Sequence, residues 1–409
     1  MRLAPVAITA AIVLSLLPLA QADEWFNVVT DYATDHKAGY QYGLRDVTLS
    51  PDENWVYGAW QHGDGIRWLY RYASNQVVLD TKTNPNFAGR FTINHVVNAQ
   101  SPTVGDDNNT NWQSVVAVGN YVYGGTDLTN TTTGPSTGYY GGFQGLVVLP
   151  WTYGDNNTAA LKTVDTSTYG GGIGGLAASG NYIYATLKSP TDGIVVRFDI
   201  TNPTNPVLDT THVWKFSQLS VPVTTDYFHG LVAVDDGLGG TDLYITSGDQ
   251  TQNSRPAGAL YRVHVDSGGT MTLLDTLAIT NRPQDVALYN DTLYVTEWTG
   301  SASQIRKVGI TATGLQDEGY IEGPPHPFNG GDGYRNANGG GYSGIDISRA
   351  GNIWLADQYW NDSGASGTPG ELLTDRLYES APIPEPGTIA LFGLGVPVLI
   401  GALRRKRRV

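Results

Sequence analysis

Apolar residues along this chain alternate with small or polar ones over runs of five to eight positions, and the runs come in pairs joined by tight turns. The pairing recurs as DVTLSPDENWVYGAW from Asp46, SVVAVGNYVYGG from Ser114 and GLAASGNYIYATL from Gly175. It returns as GLVAVDDGLGGTDLYITSGD from Gly230, DVALYNDTLYVTEW from Asp285 and GIDISRAGNIWLADQYW from Gly344. A period of two puts successive side chains on opposite faces of a strand, so each copy predicts a β-hairpin and not a helix. Gly119-Asn120, Gly180-Asn181 and Gly351-Asn352 supply turn residues that tolerate positive φ, as two-residue hairpin loops require.

The copies start 68, 61, 55, 55 and 59 residues apart, room each time for a four-stranded sheet and a loop. Repetition at that spacing predicts an all-β fold, a β-propeller of six blades whose radial closure protects its sheet edges. A seventh blade inside the 68-residue interval is the alternative, and a β-sandwich a third choice. Little chain remains after the sixth hairpin to complete its sheet, so the segment from Glu24 to Tyr42 is expected to supply a strand and close the ring.

The two ends differ from this body. Arg2, the apolar run Val6 to Leu19 and Ala20-Gln21-Ala22 form a signal-peptide pattern, with the mature chain expected from Asp23. At the other end Pro384-Glu385-Pro386 precedes an apolar stretch from Gly387 to Leu403 and then Arg404-Arg405-Lys406-Arg407-Arg408. That stretch is at the short limit for a transmembrane helix, and the basic tip is expected to stay cytoplasmic. The expected organisation is a signal peptide over 1–22, a propeller ectodomain over 23–383, and a sorting segment with transmembrane helix over 384–409.

The ending, Pro-Glu-Pro, a Gly-rich hydrophobic segment and an Arg-rich tip, resembles the PEP-CTERM sorting signal of Gram-negative bacteria. The resemblance implies recognition by an exosortase, a membrane-embedded processing enzyme of exopolysaccharide-making organisms. It also implies a destination at the cell envelope or surface, with the C-terminal helix in the inner membrane before processing. Within the body, GIVVRFDITNPTNPVL from Gly193 to Leu208 is similar to the LVIVD repeat of bacterial surface propellers.

Composition narrows the chemistry. The chain has no cysteine, which removes thiol catalysis, thiolate metal sites and an N-terminal lipoprotein anchor. The body keeps 18 Lys+Arg against 37 Asp+Glu, so it is repelled by nucleic acid and anionic lipid and suits cations or neutral glycans. There is no HExxH sequence or P-loop, and Gly170 to Gly175, GGGIGG, opens no helix that would make it a nucleotide fingerprint.

In a propeller the loop before each inner strand and the loop after the second strand emerge on one face. Asp46, Gln113, His229, Arg282, Gln284 and Asp285 fall in the first class, and His62, Asp64, Asp127, Asp249, Glu297, Trp298, Asp357 and Gln358 in the second. His62, His229, Asp285 and Glu297 are the candidate acid-base residues. Arg282, Gln284, Trp298 and Asp357 are candidate ligand contacts, and Asp46, Asp249 and Asp285 a candidate Ca²⁺ set, since Ca²⁺ takes carboxylate and carbonyl oxygens. The competing structural reading is that an Asp at the start of an inner strand bonds backbone amides and ties neighbouring blades. Trp60, Trp68, Trp298, Tyr359 and Trp360 either stack on sugar rings or pack between blades.

The leading expectation is a non-enzymatic, surface-sorted binding or scaffold propeller of the envelope or polysaccharide matrix. The rival is a Ca²⁺-dependent lactonase-like or glycan-active hydrolase using Asp and His at the mouth.

Overall fold

The computed structural model describes residues 25–32, 44–60, 65–70, 87–91, 112–126, 144–150, 162–169, 171–187, 192–219, 227–248, 258–298, 303–321, 323, 341–358 and 374–382. These form 24 strands and two short 3₁₀ turns. β1 (Trp25–Tyr32) precedes a first sheet of β2 (Leu44–Leu49), β3 (Trp55–Trp60), β4 (Gly65–Tyr70) and β5 (Phe87–Phe91). The second sheet holds β6 (Trp112–Val118), β7 (Tyr121–Thr126), β8 (Gly145–Pro150) and β9 (Lys162–Asp165). The third holds β10 (Ile173–Ser179), β11 (Tyr182–Leu187), β12 (Ile194–Asp199) and β13 (Val207–Lys215).

The fourth is built from β14 (Tyr227–Asp235), β15 (Thr241–Gly248), β16 (Gly258–Val265) and β17 (Met271–Ile279). The fifth has β18 (Arg282–Tyr289), β19 (Thr292–Trp298), β20 (Ser303–Thr311) and β21 (Gly314–Ile321). The sixth has β22 (Gly341–Ile347), β23 (Asn352–Gln358) and β24 (Thr374–Pro382), with β1 as its outer strand. That pairing runs antiparallel from Trp25↔Ser380 to Tyr32↔Thr374, so the expected N-terminal strand does complete the last sheet.

Each sheet is an antiparallel meander, and the sheets stand in a propeller arrangement. The first strands β2, β6, β10, β14, β18 and β22 neighbour one another in that order, and β22 returns to β2. Positions 46, 114, 175, 230, 285 and 344, where the repeats begin, each lie at a register shift between the first and second strands. A bulge of this kind bends the strand locally and re-aims its side chains.

The turns follow the sequence reading at two of three places. Gly119 and Gly180 sit at φ +55° and +57° in two-residue loops, and Asn290 takes φ +53° in the equivalent loop of the fifth sheet. Gly351 has φ +84° but closes a four-residue loop, because Asn352 is already strand and its carbonyl accepts from Ser348 N at 2.9 Å.

The core lies between sheets. Tyr184, Val195, Trp214 and Phe216 of the third sheet and its outer turn pack on Phe228, Leu231, Leu243 and Tyr261 of the fourth. Phe216 meets Phe228 edge-to-face at 4.4 Å. Similar clusters join the second sheet to the third, the fourth to the fifth, and the fifth to the sixth. The segment Gly193 to Leu208 forms β12 and its turn into β13, and Pro203 O of that turn accepts a hydrogen bond from Tyr123 of the second sheet at 2.9 Å.

Candidate functional site

The first strands enclose a central cavity of about 450 Å³. Asp46, Gln113, His229, Gln284, Asp285 and Asp346 are among its polar lining. Consecutive residues such as Gln284 and Asp285 both reach the channel because the register shift between Pro283 and Val286 bends the strand there.

The aspartates on this wall are occupied by the backbone. Asp46 Oδ1 accepts from Val47 N at 2.7 Å, and its Oδ2 from Val115 N of β6 at 2.7 Å. Asp285 Oδ2 accepts from Ile345 N of β22 at 2.9 Å. Asp346 Oδ2 accepts from Leu49 N of β2 at 2.7 Å and Thr48 Oγ1 at 3.3 Å, while Oδ1 takes Ile347 N at 2.7 Å. Each carboxyl thus ties its own inner strand to the next, and the contact from Asp346 spans the point where the last sheet meets the first.

Each of these groups opens on the channel on one side and is walled by protein on the others. Burial raises the Asp46 carboxyl well above the usual range, and the neighbouring Asp285 charge adds to it. Burial likewise pushes Asp285 up to about 7 and Asp346 up to about 6, although the amides that bond them pull the other way.

The remaining sequence candidates are dispersed. His229 is 8 % exposed on the channel wall, and its carbonyl accepts from Thr186 Oγ1 at 3.0 Å. Gln284 also lines the channel, with Nε2 donating to Pro283 O at 3.2 Å. Arg282 begins β18 and packs over Gly248, away from the wall.

Glu297 was expected at the mouth and is instead wholly buried inside the fifth sheet. It pairs there with Arg306 and accepts from Asn281 Nδ2 at 2.8 Å and Gln304 Nε2 at 3.3 Å. Arg306 also meets Asp317 and lies 4.5 Å from the Tyr320 ring centroid, so this cluster holds β19, β20 and β21 together. A buried charge needs such partners, and those partners take it out of the channel.

Trp60, Trp68, Trp298 and Asp357 fall on β3, β4, β19 and β23, where only the strand is described. His62, Asp249, Tyr359, Trp360, Pro384, Glu385, Pro386 and the expected transmembrane segment lie outside the described residues. Among the described residues no three His, Asp or Glu form a group that could hold a metal ion, and no helix is long and apolar enough to cross a membrane. Of the proposed set of Asp46, Asp249 and Asp285, Asp46 and Asp285 both line the cavity.

Two features were not read from the sequence. Asp346 is one; GIDIS matches DVTLS in pattern, but its acid stands two places later than Asp46 does, so a search at the repeat start passes over it. The other is a buried threonine on the second strand of several sheets. Thr186 Oγ1 accepts from Gly175 N at 2.8 Å and donates to His229 O of the next sheet. Thr246 repeats this with Gly230 N at 2.8 Å and Gln284 O at 2.9 Å. Superposing YIYAT, LYIT and LYVT of the repeats reveals the position.

Residues 382–408 match the PEP-CTERM protein-sorting motif. The motif marks an exported protein of the cell envelope that is a substrate for an exosortase-type enzyme. No curated protein matches the chain. Among solved structures, an oxidoreductase (glucose dehydrogenase) from Thermus thermophilus is similar at 12% identity and TM-score 0.48, over 88% of this chain and 99% of that one. The PQQ-bound aldose sugar dehydrogenase of Streptomyces coelicolor is similar at 14% identity and TM-score 0.45, over 87% and 96% of the two chains. A protein described as a 6-phosphogluconolactonase from Bacteroides uniformis is similar at 14% identity and TM-score 0.44, over 81% and 84%. Likeness at this level carries nothing about chemistry.

Proposed function

We propose that this exported, surface-sorted propeller is a binding or scaffold protein of the cell envelope or its polysaccharide matrix, and that its ligand site is the central channel. Residues 1–22 direct export in this reading, the six sheets are the blades of one closed ring, and the body faces outward from the membrane. The sorting motif carries the reading, because a C-terminal processing signal places the body outside the cytoplasm whatever the channel binds.

The channel supports binding over hydrolysis. A hydrolase of the lactonase-like or glycan-active kind needs a carboxyl free to exchange protons with substrate. Asp46, Asp285 and Asp346 each accept from a backbone amide of the next inner strand, which fits a structural tie between strands. The amides of Gln113 and Gln284 and the volume of the channel suit hydroxyl-rich, uncharged ligands, and a body of net negative charge does not repel those.

The test is a titration of the full chain against a panel of neutral and acidic glycans and against Ca²⁺. Saturable binding of a neutral glycan, weakened about tenfold in Gln284→Ala by loss of one or two hydrogen bonds, is expected. Ca²⁺-dependent hydrolysis of a lactone or glycan would replace this reading with the enzymatic one.

A further inference from the structure

The bulges of the inner strands fall at one level of the channel. The residue just before each repeat start, namely Arg45, Gln113, Gly174, His229, Gln284 or Ser343, is passed over by the pairing between first and second strands. All six line the cavity. Contacts between neighbouring inner strands fix their common level. Asp46 Oδ2 accepts from Val115 N, and Asp285 Oδ2 from Ile345 N. Gly175 abuts the His229 carbonyl, Gly230 abuts Asp285 and Gly344 abuts Asp46, each so closely that a Cβ would lie within 3.0 Å of its neighbour. The residues directly before these positions therefore stand side by side around the axis.

The inner strands follow one another as β2, β6, β10, β14, β18 and β22, and return to β2. In that closed ring Gln113 stands opposite Gln284, and Arg45 opposite His229. Gly174 adds no side chain, which leaves one gap facing Ser343. Deeper along the strands the wall takes on apolar residues, among them Val116, Ala178, Val232 and Leu288.

We propose that this ring of bulge residues is the specificity-determining level of the channel and holds one neutral sugar unit, the end of a glycan chain, gripped from opposite sides by the amides of Gln113 and Gln284. The inference rests on the reading of the channel as a neutral-glycan site. Each amide offers both a donor and an acceptor, and so does the Ser343 hydroxyl; the His229 imidazole adds a donor and, when neutral, an acceptor. Sugar hydroxyls also donate and accept, so such a set matches several of them at once. Arg45 is the one permanent charge of the ring, and the acidic body around it opposes an anionic ligand. The cavity of about 450 Å³ is of small-ligand size. Polar side chains gathered at one level, with apolar wall deeper, suit a terminal unit better than one in mid-chain.

Calorimetric titration of the full chain with glucose, galactose and mannose, and with the matching uronic acids, tests the ring. At least one neutral sugar is expected to bind saturably. Its affinity should fall about tenfold in Gln113→Ala and in Gln284→Ala, and about a hundredfold in the double variant, since the two contacts lie on opposite sides of one ligand. Wild-type affinity in both single variants overturns the ring and leaves the channel reading in place, as does binding of long neutral glycans with none of the simple sugars. A uronic acid bound more tightly than its neutral parent also overturns it. Binding of no glycan of any kind removes both readings. If the variants do not fold, the histidine ring signals of the wild type give the answer by NMR. Those of His229 should shift as the sugar is added, while those of His212 on β13 and His264 on β16 stay in place. A His229 signal unmoved at saturating sugar overturns the ring.

Discussion

Gly230 has no side chain because the next strand already occupies the space where one would go. A Cβ there would stand closer than 3.0 Å to Asp285 Oδ1, Asp285 Cα and Val286 N, two of them atoms of the main chain that cannot swing aside. Gly180 is a glycine for a different reason: a Cβ there meets nothing within 4 Å, but the residue sits at φ +57°. Gly230→Ala should therefore cost about 3 kcal/mol or more through forced separation of β14 from β18, and Gly180→Ala about 1 kcal/mol through left-handed backbone strain. Denaturant unfolding of the two variants separates the causes. Similar costs would mean that the strands can part easily and that the inner ring is not closely packed.

At the level of the strand, the threonine of the second strand links a bulge to the next sheet. Thr246 is wholly buried; its hydroxyl accepts from Gly230 N and donates to Gln284 O. Valine has the same shape and neither function. Thr246→Val should destabilise by about 1–3 kcal/mol because a buried N–H and a buried C=O both lose a partner, whereas Thr246→Ser should recover most of it. Equilibrium unfolding checks the order of the three proteins, and a valine variant as stable as wild type would show that water replaces the hydroxyl. β-Branching makes threonine a good strand residue, so nothing in local propensity distinguishes this structural hydroxyl from an ordinary strand position.

At the level of the whole molecule, the sorting motif lies beyond the last strand of the sheets and is expected to act separately from them. Replacing Pro384, Glu385 and Pro386 together with alanine should leave export unchanged and abolish display at the cell surface, because these residues belong to the motif that marks the chain for exosortase-type processing. Fractionation and surface labelling of the triple variant measure this. Undiminished display would reduce the motif to a plain anchor. The ring should be unaffected, since its sheets are complete by Pro382.

The sequence by itself determined the all-β class, the six hairpins, the N-terminal strand that finishes the last sheet and the sorting signal. Each of these is written in local pattern: a period of two, a turn residue, a shortage of chain, or three adjacent motifs. The tertiary structure decided what the acidic residues do. Asp285 and Glu297 stand twelve residues apart in one hairpin and look alike in sequence. One accepts from the backbone of the next inner strand at the channel wall, and the other meets a guanidinium inside its own sheet. Which partner a buried carboxyl finds depends on contacts between residues hundreds of positions apart, such as Asp346 with Leu49. Only closure of the chain brings those residues together, and with them the desolvation and charge that set the protonation of the channel.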